Sequence, residues 1–152
     1  MREKLFGFQE DALSDLHKRI NSANSMLLSD AEEQVIISFS APTGSGKTIV
    51  MTALFEDIFF GSAETQGDPD AIVVWLSDMP ELNERSRRKI ESKSDKIRVR
   101  NIHTIDSVFD SETLECGNIY FLNTQKLGSD KLLTHKSDKR QYTIWETLTN
   151  TV

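Results

Sequence analysis

The run Ser40-Ala41-Pro42-Thr43-Gly44-Ser45-Gly46-Lys47-Thr48 carries residue types and a spacing suited to holding phosphate. Gly44 and Gly46 can take backbone angles that side chains disfavour, so successive N–H groups turn inward and form an anion cradle at a helix N-terminus. Lys47 adds a point charge for β- and γ-phosphates, which makes it the one candidate catalytic group. The Thr48 hydroxyl is suited to Mg²⁺. Ala41 stands where the general pattern of such loops has its first glycine, a departure that leaves the cradle intact.

A loop of this kind works only between a strand and a helix, and both are readable. Val35-Ile36-Ile37-Ser38-Phe39 is β-branched and aromatic, as in a buried strand. From Thr48 to Phe60, the residues Ile49, Val50, Ala53, Leu54, Ile58 and Phe59 recur at near-helical spacing. Upstream, Leu5, Phe8, Ala12, Leu13, Leu16 and Ile20 form one face of an amphipathic helix that carries Gln9. Asn21 to Glu33 reads as a connection.

Downstream, Gly61 to Asp70 reads as an exposed loop. Ala71 to Leu76 is a continuous apolar run, as in a parallel strand covered on both faces. Glu81 to Ser94 reads as a charged helix with Leu82 and Ile90 inward and Pro80 at its start. Lys96 to Ile102 alternates like an edge strand, Ile105 to Phe109 suggests a helical turn, and Asn118 to Leu122 a buried strand. Gly128 to Arg140 is polar and basic, the pattern of a mobile loop. Tyr142 to Val152 reads as a final helix. Strands alternating with helices predict an α/β fold with a parallel sheet flanked by helices and right-handed crossovers. The lead-in is residues 1–34 and the phosphate-loop core residues 35–152.

At 152 residues, with 38% hydrophobic and 28% charged side chains, the chain suits one globular domain. The net charge of −6 argues against histone-like binding driven by bulk charge. Its distribution is uneven: residues 81–100 hold eight Lys or Arg against four Asp or Glu, and residues 1–80 hold five against thirteen. The single Cys116 excludes an internal disulfide and fits a cytoplasmic setting; no Cys/His spacing suggests zinc. No apolar run approaches the length of a membrane span, and the N-terminus lacks a signal-peptide core.

Ligands of open α/β sheets bind beyond the carboxyl ends of the strands. Besides the phosphate loop, Ser77 to Pro80 and Asn123 to Gln125 fall there. Ser77, Asn123, Thr124 and Gln125 can donate to sugar and phosphate oxygens, or serve as ordinary capping residues. Arg85, Arg87, Arg88 and Lys89 alternate with Glu84 and Glu91, which favours a solvated helix face. His103 reads as structural, and Trp75 and Trp145 as core residues.

Together these segments resemble the first RecA-like domain of superfamily 2 helicases, within the DEAD/DEAH-box group related to type III restriction subunits. Phe8-Gln9-Glu10-Asp11-Ala12 is similar to the Gln-containing segment ahead of the phosphate loop, and Ala41 to Thr48 to the helicase form of that loop. Val73 to Leu76 with Pro80-Glu81-Leu82 is similar to the motif whose loop touches single-stranded nucleic acid. Phe121 to Leu127 and Tyr142 to Glu146 resemble segments ahead of the acidic Walker B strand. The resemblance implies ATP with Mg²⁺ as cofactors, held by Gln9, Thr43, Gly44, Ser45, Gly46, Lys47 and Thr48. Gln9 would read the adenine edge. It also implies DNA or RNA as partner, DNA being favoured, together with a second RecA-like domain and a restriction-modification partner subunit.

No Asp-Glu-x-Asp or Asp-Glu-x-His stands in the sequence, so the general base of the family is not among these residues. The expected function is the ATP-binding part of an ATP-dependent helicase or translocase. The alternatives are a nucleotide-binding module without motor activity and, less favoured for want of a substrate lid, a small-molecule kinase.

Overall fold

The structure, a computed structural model, describes residues 1–29 and 34–151. Four α-helices, α1 (Gly7–Ser29), α2 (Lys47–Phe60), α3 (Pro80–Lys93) and α4 (Ile144–Thr151), accompany three strands, β1 (Val73–Ser77), β2 (Ile102–Ile105) and β3 (Ile119–Asn123). The strands form a parallel sheet in the order β1-β3-β2.

Period-two alternation sorts the strand side chains onto two faces. Val73, Trp75, Ile119 and Phe121 pack with Phe55 and Phe59 of α2 and Ile90 of α3. Val74, Tyr120 and Leu122 point the other way, onto Leu114, Leu133 and Ile144 of α4. Every residue of β3 is buried, as a central strand covered on both faces requires. A third cluster joins Leu16 of α1 to Val50 and Leu54 of α2, with Ile37 and Phe39 packed against it.

The fold class follows the sequence, and several elements do not. Val35–Phe39 forms no strand: its side chains alternate in exposure, Ile36 being 90% exposed, and it leans on the α1–α2 cluster without joining the sheet. Asn21 to Ser29 continues α1, because nothing in that stretch breaks a helix and Ala23 packs inward. The remainder of the expected connection, residues 30–33, lies outside the described residues, as does Val152.

β1 is a partly exposed edge strand, with Leu76 open to solvent. The predicted edge strand over Lys96–Ile102 is displaced: Val99–Asn101 make a 3₁₀ turn, and the strand begins at Ile102 and absorbs Ile105. The chain after it turns without a helix, as Asp106 accepts the Val108 N–H. On α3, Ile90 is fully buried, but Asn83 takes the inward place expected of Leu82, which is exposed. Trp75 packs edge-on to Phe55 and against Phe121, whereas Trp145 is 48% exposed and so no core residue.

The segment after β3 is anchored. Leu133 is 1% exposed, the Thr134 hydroxyl donates to the Gly128 carbonyl, and Arg140 is buried.

Candidate functional site

The sheet fixes where the phosphate loop lies. At the end of α2 the chain doubles back, with the Asp68 N–H donating to the Ile58 carbonyl at 2.6 Å, and enters β1 from there. α2 therefore runs opposite to the strands, and its first turn lies toward their carboxyl ends.

That first turn is built by glycine. Gly46 is the N-cap of α2 at φ 85°, and Gly44 has φ 86°, both in the left-handed region that other residues avoid. Among the described residues no side chain caps α2, and no acidic residue stands in its first turn, so the N–H groups and the positive end of the helix dipole there are free for an anion. This is the arrangement that accepts phosphate.

Lys47 folds over the loop, its Nζ donating to the carbonyls of Ala41 at 2.6 Å and Pro42 at 3.1 Å. Among the described residues the ammonium meets neutral carbonyls and no carboxylate, which leaves its charge available. Ser45 Oγ is buried and has no partner among the described residues. Thr48, the second residue of α2, is half-buried.

Gln9 ties the lead-in helix to this loop. It is 4% exposed; its Oε1 accepts the Phe6 N–H and its Nε2 donates to the Ser45 carbonyl, both at 3.0 Å. Packing is tight enough that a Cβ on Gly46 would stand 2.4 Å from Gln9 Nε2. Each half of a Gln amide has a second valence, so Gln9 retains one N–H and one lone pair for another partner. A pocket of about 220 Å³ opens here between Phe8, Gln9, Phe39, Pro42, Ser45 and Lys47. Ligand pockets usually span about 300–1,000 Å³, so this one has room for only part of a ligand of nucleotide size.

A glycine cradle, an uncommitted lysine charge and an uncapped helix end fit the phosphates of ATP. A single Thr hydroxyl fits Mg²⁺ as one ligand among several oxygens, since Mg²⁺ is held largely by water and phosphate.

The other candidates stand at the carboxyl ends of β1 and β3. Ser77 and Asn123 are register partners across β1 and β3. Asn123 is buried and committed locally: its Oδ1 accepts the Gln125 N–H at 2.7 Å and its Nδ2 donates to the Asp78 carbonyl. Ser77 Oγ accepts the Met79 N–H at 3.1 Å. These bonds shape the two loops and leave Thr124 and Gln125 exposed at the tip of the second. None of the four lines the Gln9 pocket.

On α3, Arg87 bridges Glu84 and Glu91, and Arg88 also reaches Glu84. The Arg87 and Arg88 guanidinium groups pull Glu84 down to about 2. His103 stacks on Tyr120 at 5.0 Å with Nε2 buried and unpartnered.

Sequence reasoning missed Asn83, whose Oδ1 is buried without a partner, and Arg140. Asn83 sits among exposed charges on a polar helix and gives no signal. Arg140 ends a basic run that was visible, but its burial was not.

A parallel sheet flanked by helices, with a glycine-built loop opening the helix that runs back over it, defines the P-loop NTPase fold. The chain belongs to the family described as type III restriction enzyme, res subunit, which it matches over residues 2–145. It is thus an ATP-binding, helicase-type domain of the RecA-like class. No individual curated protein and no solved structure matches the chain. Among the described residues, no helix is long and apolar enough to cross a membrane.

Proposed function

We propose that the chain is the ATP-binding part of an ATP-dependent nucleic-acid helicase or translocase, with residues 1–34 as the Gln9-bearing lead-in and residues 35–152 as the phosphate-loop core. The single observation that carries this reading is the left-handed Gly46 at the uncapped start of α2, braced by the Gln9 bond to Ser45 and flanked by Lys47.

Each residue has a separable task. Gly44, Ser45 and Gly46 present main-chain N–H groups to the β-phosphate, with Thr43 shaping the approach. Lys47 leaves the Ala41 and Pro42 carbonyls and turns its ammonium to the β- and γ-phosphates. Thr48 contributes one oxygen to Mg²⁺. Gln9, with its free N–H and lone pair, reads the adenine edge. Mg·ATP, when bound, would supply the phosphoanhydride bond whose hydrolysis drives movement. Ser77, Asn123, Thr124 and Gln125 form the edge that faces nucleic acid, DNA in preference to RNA; Asn123 serves by shaping the loop that presents Thr124 and Gln125. A second RecA-like domain and a restriction-modification partner complete the motor in a cytoplasmic setting.

The test is nucleotide titration of the chain and of Lys47→Ala. A charge-assisted contact contributes about 1.5–3 kcal/mol, so affinity falls roughly 10- to 100-fold with stability unchanged. Equal affinity for the variant would overturn the assignment of the loop.

A further inference from the structure

Beyond the phosphate loop and the polar strand ends lies a basic pocket to which neither the sequence nor the family assigns a role. It has a volume of about 340 Å³ and opens between the turn after β2, at Ser107 and Val108, and the segment that carries Lys131, Leu132, Lys139 and Arg140.

Three observations bear on its ligand. The first is charge. Residues 126–140 hold five Lys or Arg against two Asp, in a chain whose net charge is −6. Lys131 pairs with Asp130, and Lys136 with Glu146. Among the described residues, no carboxylate comes within ion-pair distance of Lys139 or Arg140. Arg140 is 8% exposed and donates to the carbonyls of Ser107 and Phe109. Asp110, the acid that feels its charge, spends both oxygens on the Gln141 and Tyr142 N–H groups. A buried cation without a paired anion is costly unless something compensates it.

The second is rigidity. Leu133 is locked in the core, and Ser137 and Arg140 exchange backbone hydrogen bonds, so the pocket walls are set before any ligand arrives. The third is the company the charges keep. Val108 is 81% exposed and Leu132 70% exposed on the rim. A free inorganic anion has no use for apolar rims, and an acidic peptide gains little from a pocket this narrow. A nucleic-acid strand presents phosphate beside sugar and base, and both surfaces are served.

We propose that this pocket is a further contact for a single nucleic-acid strand, with Lys139 and Arg140 on a backbone phosphate and Val108 and Leu132 against the adjoining sugar or base. The proposal rests on the reading that the chain acts on nucleic acid, and it places a contact outside the four residues assigned there. The pocket lies at the carboxyl ends of β2 and β3, the edge that also presents Thr124 and Gln125.

The test is binding of a fluorescein-labelled single-stranded oligothymidylate, followed by anisotropy between about 50 and 200 mM salt. Lys139 is exposed, so its variants keep the fold. Lys139→Ala is expected to lower the slope of log affinity against log salt by about 0.7, and Lys139→Glu to weaken binding on the order of tenfold. Unchanged affinity and slope in both variants would overturn the proposal, even if ATP binding is intact. So would inorganic phosphate or an acidic peptide binding at Lys139 where the oligonucleotide does not. Loss of oligonucleotide binding in Lys139→Glu from a chain that binds no ATP would sustain the pocket while the phosphate-loop reading fell.

Discussion

Gln9 and Ser45, 36 residues apart in sequence, are joined by a 3.0 Å hydrogen bond from the Gln9 amide to the Ser45 carbonyl. The bond fastens the lead-in helix to the turn that would hold phosphate, so the state of one reaches the other. Gln9→Ala leaves the Ser45 carbonyl and the Phe6 N–H without their partner in a part-buried place, at a cost of about 1 kcal/mol. Gln9→Glu is expected to be worse, because it turns a carboxylate oxygen toward the Ser45 carbonyl. Urea unfolding and nucleotide titration check this together: both variants should lose stability and affinity. Changes within about 0.5 kcal/mol, as for an ordinary surface site, would show that the bond carries nothing.

Gly46 and Gly44 share a left-handed backbone but differ in surroundings. A Cβ on Gly44 meets nothing within 4 Å, whereas on Gly46 it meets Gln9 Nε2. Gly44→Ala therefore carries only the backbone penalty of about 1–2 kcal/mol. Gly46→Ala adds the displacement of Gln9. The expected outcome of a double-mutant cycle is that Gly46→Ala costs less when Gln9 is already Ala. Strict additivity would mean that Gln9 yields without loss.

The phosphate loop and the sheet were legible for different reasons. The loop is written in residue types with narrow roles, Gly44, Gly46, Lys47 and Thr48, and β3 in an uninterrupted apolar run. Val35–Phe39 has the composition of a strand, but composition cannot supply a neighbour, and without a partner for its hydrogen bonds the segment packs by Ile37 and Phe39 alone. Arg140 falls in a stretch whose charge predicts a mobile loop in solvent. Its guanidinium instead satisfies two carbonyls of a turn more than thirty residues away, a relation no local pattern encodes.

Glu56 is a buried carboxylate inside an apolar helix, 3% exposed, and it is held by the Ser94 hydroxyl at 2.6 Å, the Asp95 N–H at 3.1 Å and the Met1 ammonium at 2.6 Å. It locks α2 to the end of α3. Glu56→Ala removes the acceptor for all three and is expected to destabilise by about 3 kcal/mol. Ser94→Ala removes the hydrogen bond to the Glu56 carboxylate and also the acceptor of the Ile97 and Lys96 N–H groups, at 2.8 and 3.3 Å, and should cost about 3 kcal/mol. Denaturant unfolding of the two single variants and the pair should show that Ser94→Ala costs less once Glu56 is gone, the remainder being the Ile97 N–H left without its acceptor.

Asp110 gives the fold a pH dependence that can be isolated. The N–H groups of Gln141 and Tyr142, and then the charge of Arg140, hold its carboxyl below the ordinary carboxylate range. A depressed folded value means that the contribution is complete where the unfolded carboxyl is already ionised, and drains as pH falls through the lower folded value. The difference in melting temperature between the chain and Asp110→Asn should therefore be constant near neutrality and shrink from about pH 5 to about pH 2. Glu84, Glu146 and Asp130 are depressed as well, but they are present in both proteins and cancel in the difference. The same substitution removes a negative charge that faces Arg140, so oligonucleotide affinity at neutral pH should rise while stability falls. A parallel fall of both would mean that Asp110 holds the pocket together and does not merely oppose its field.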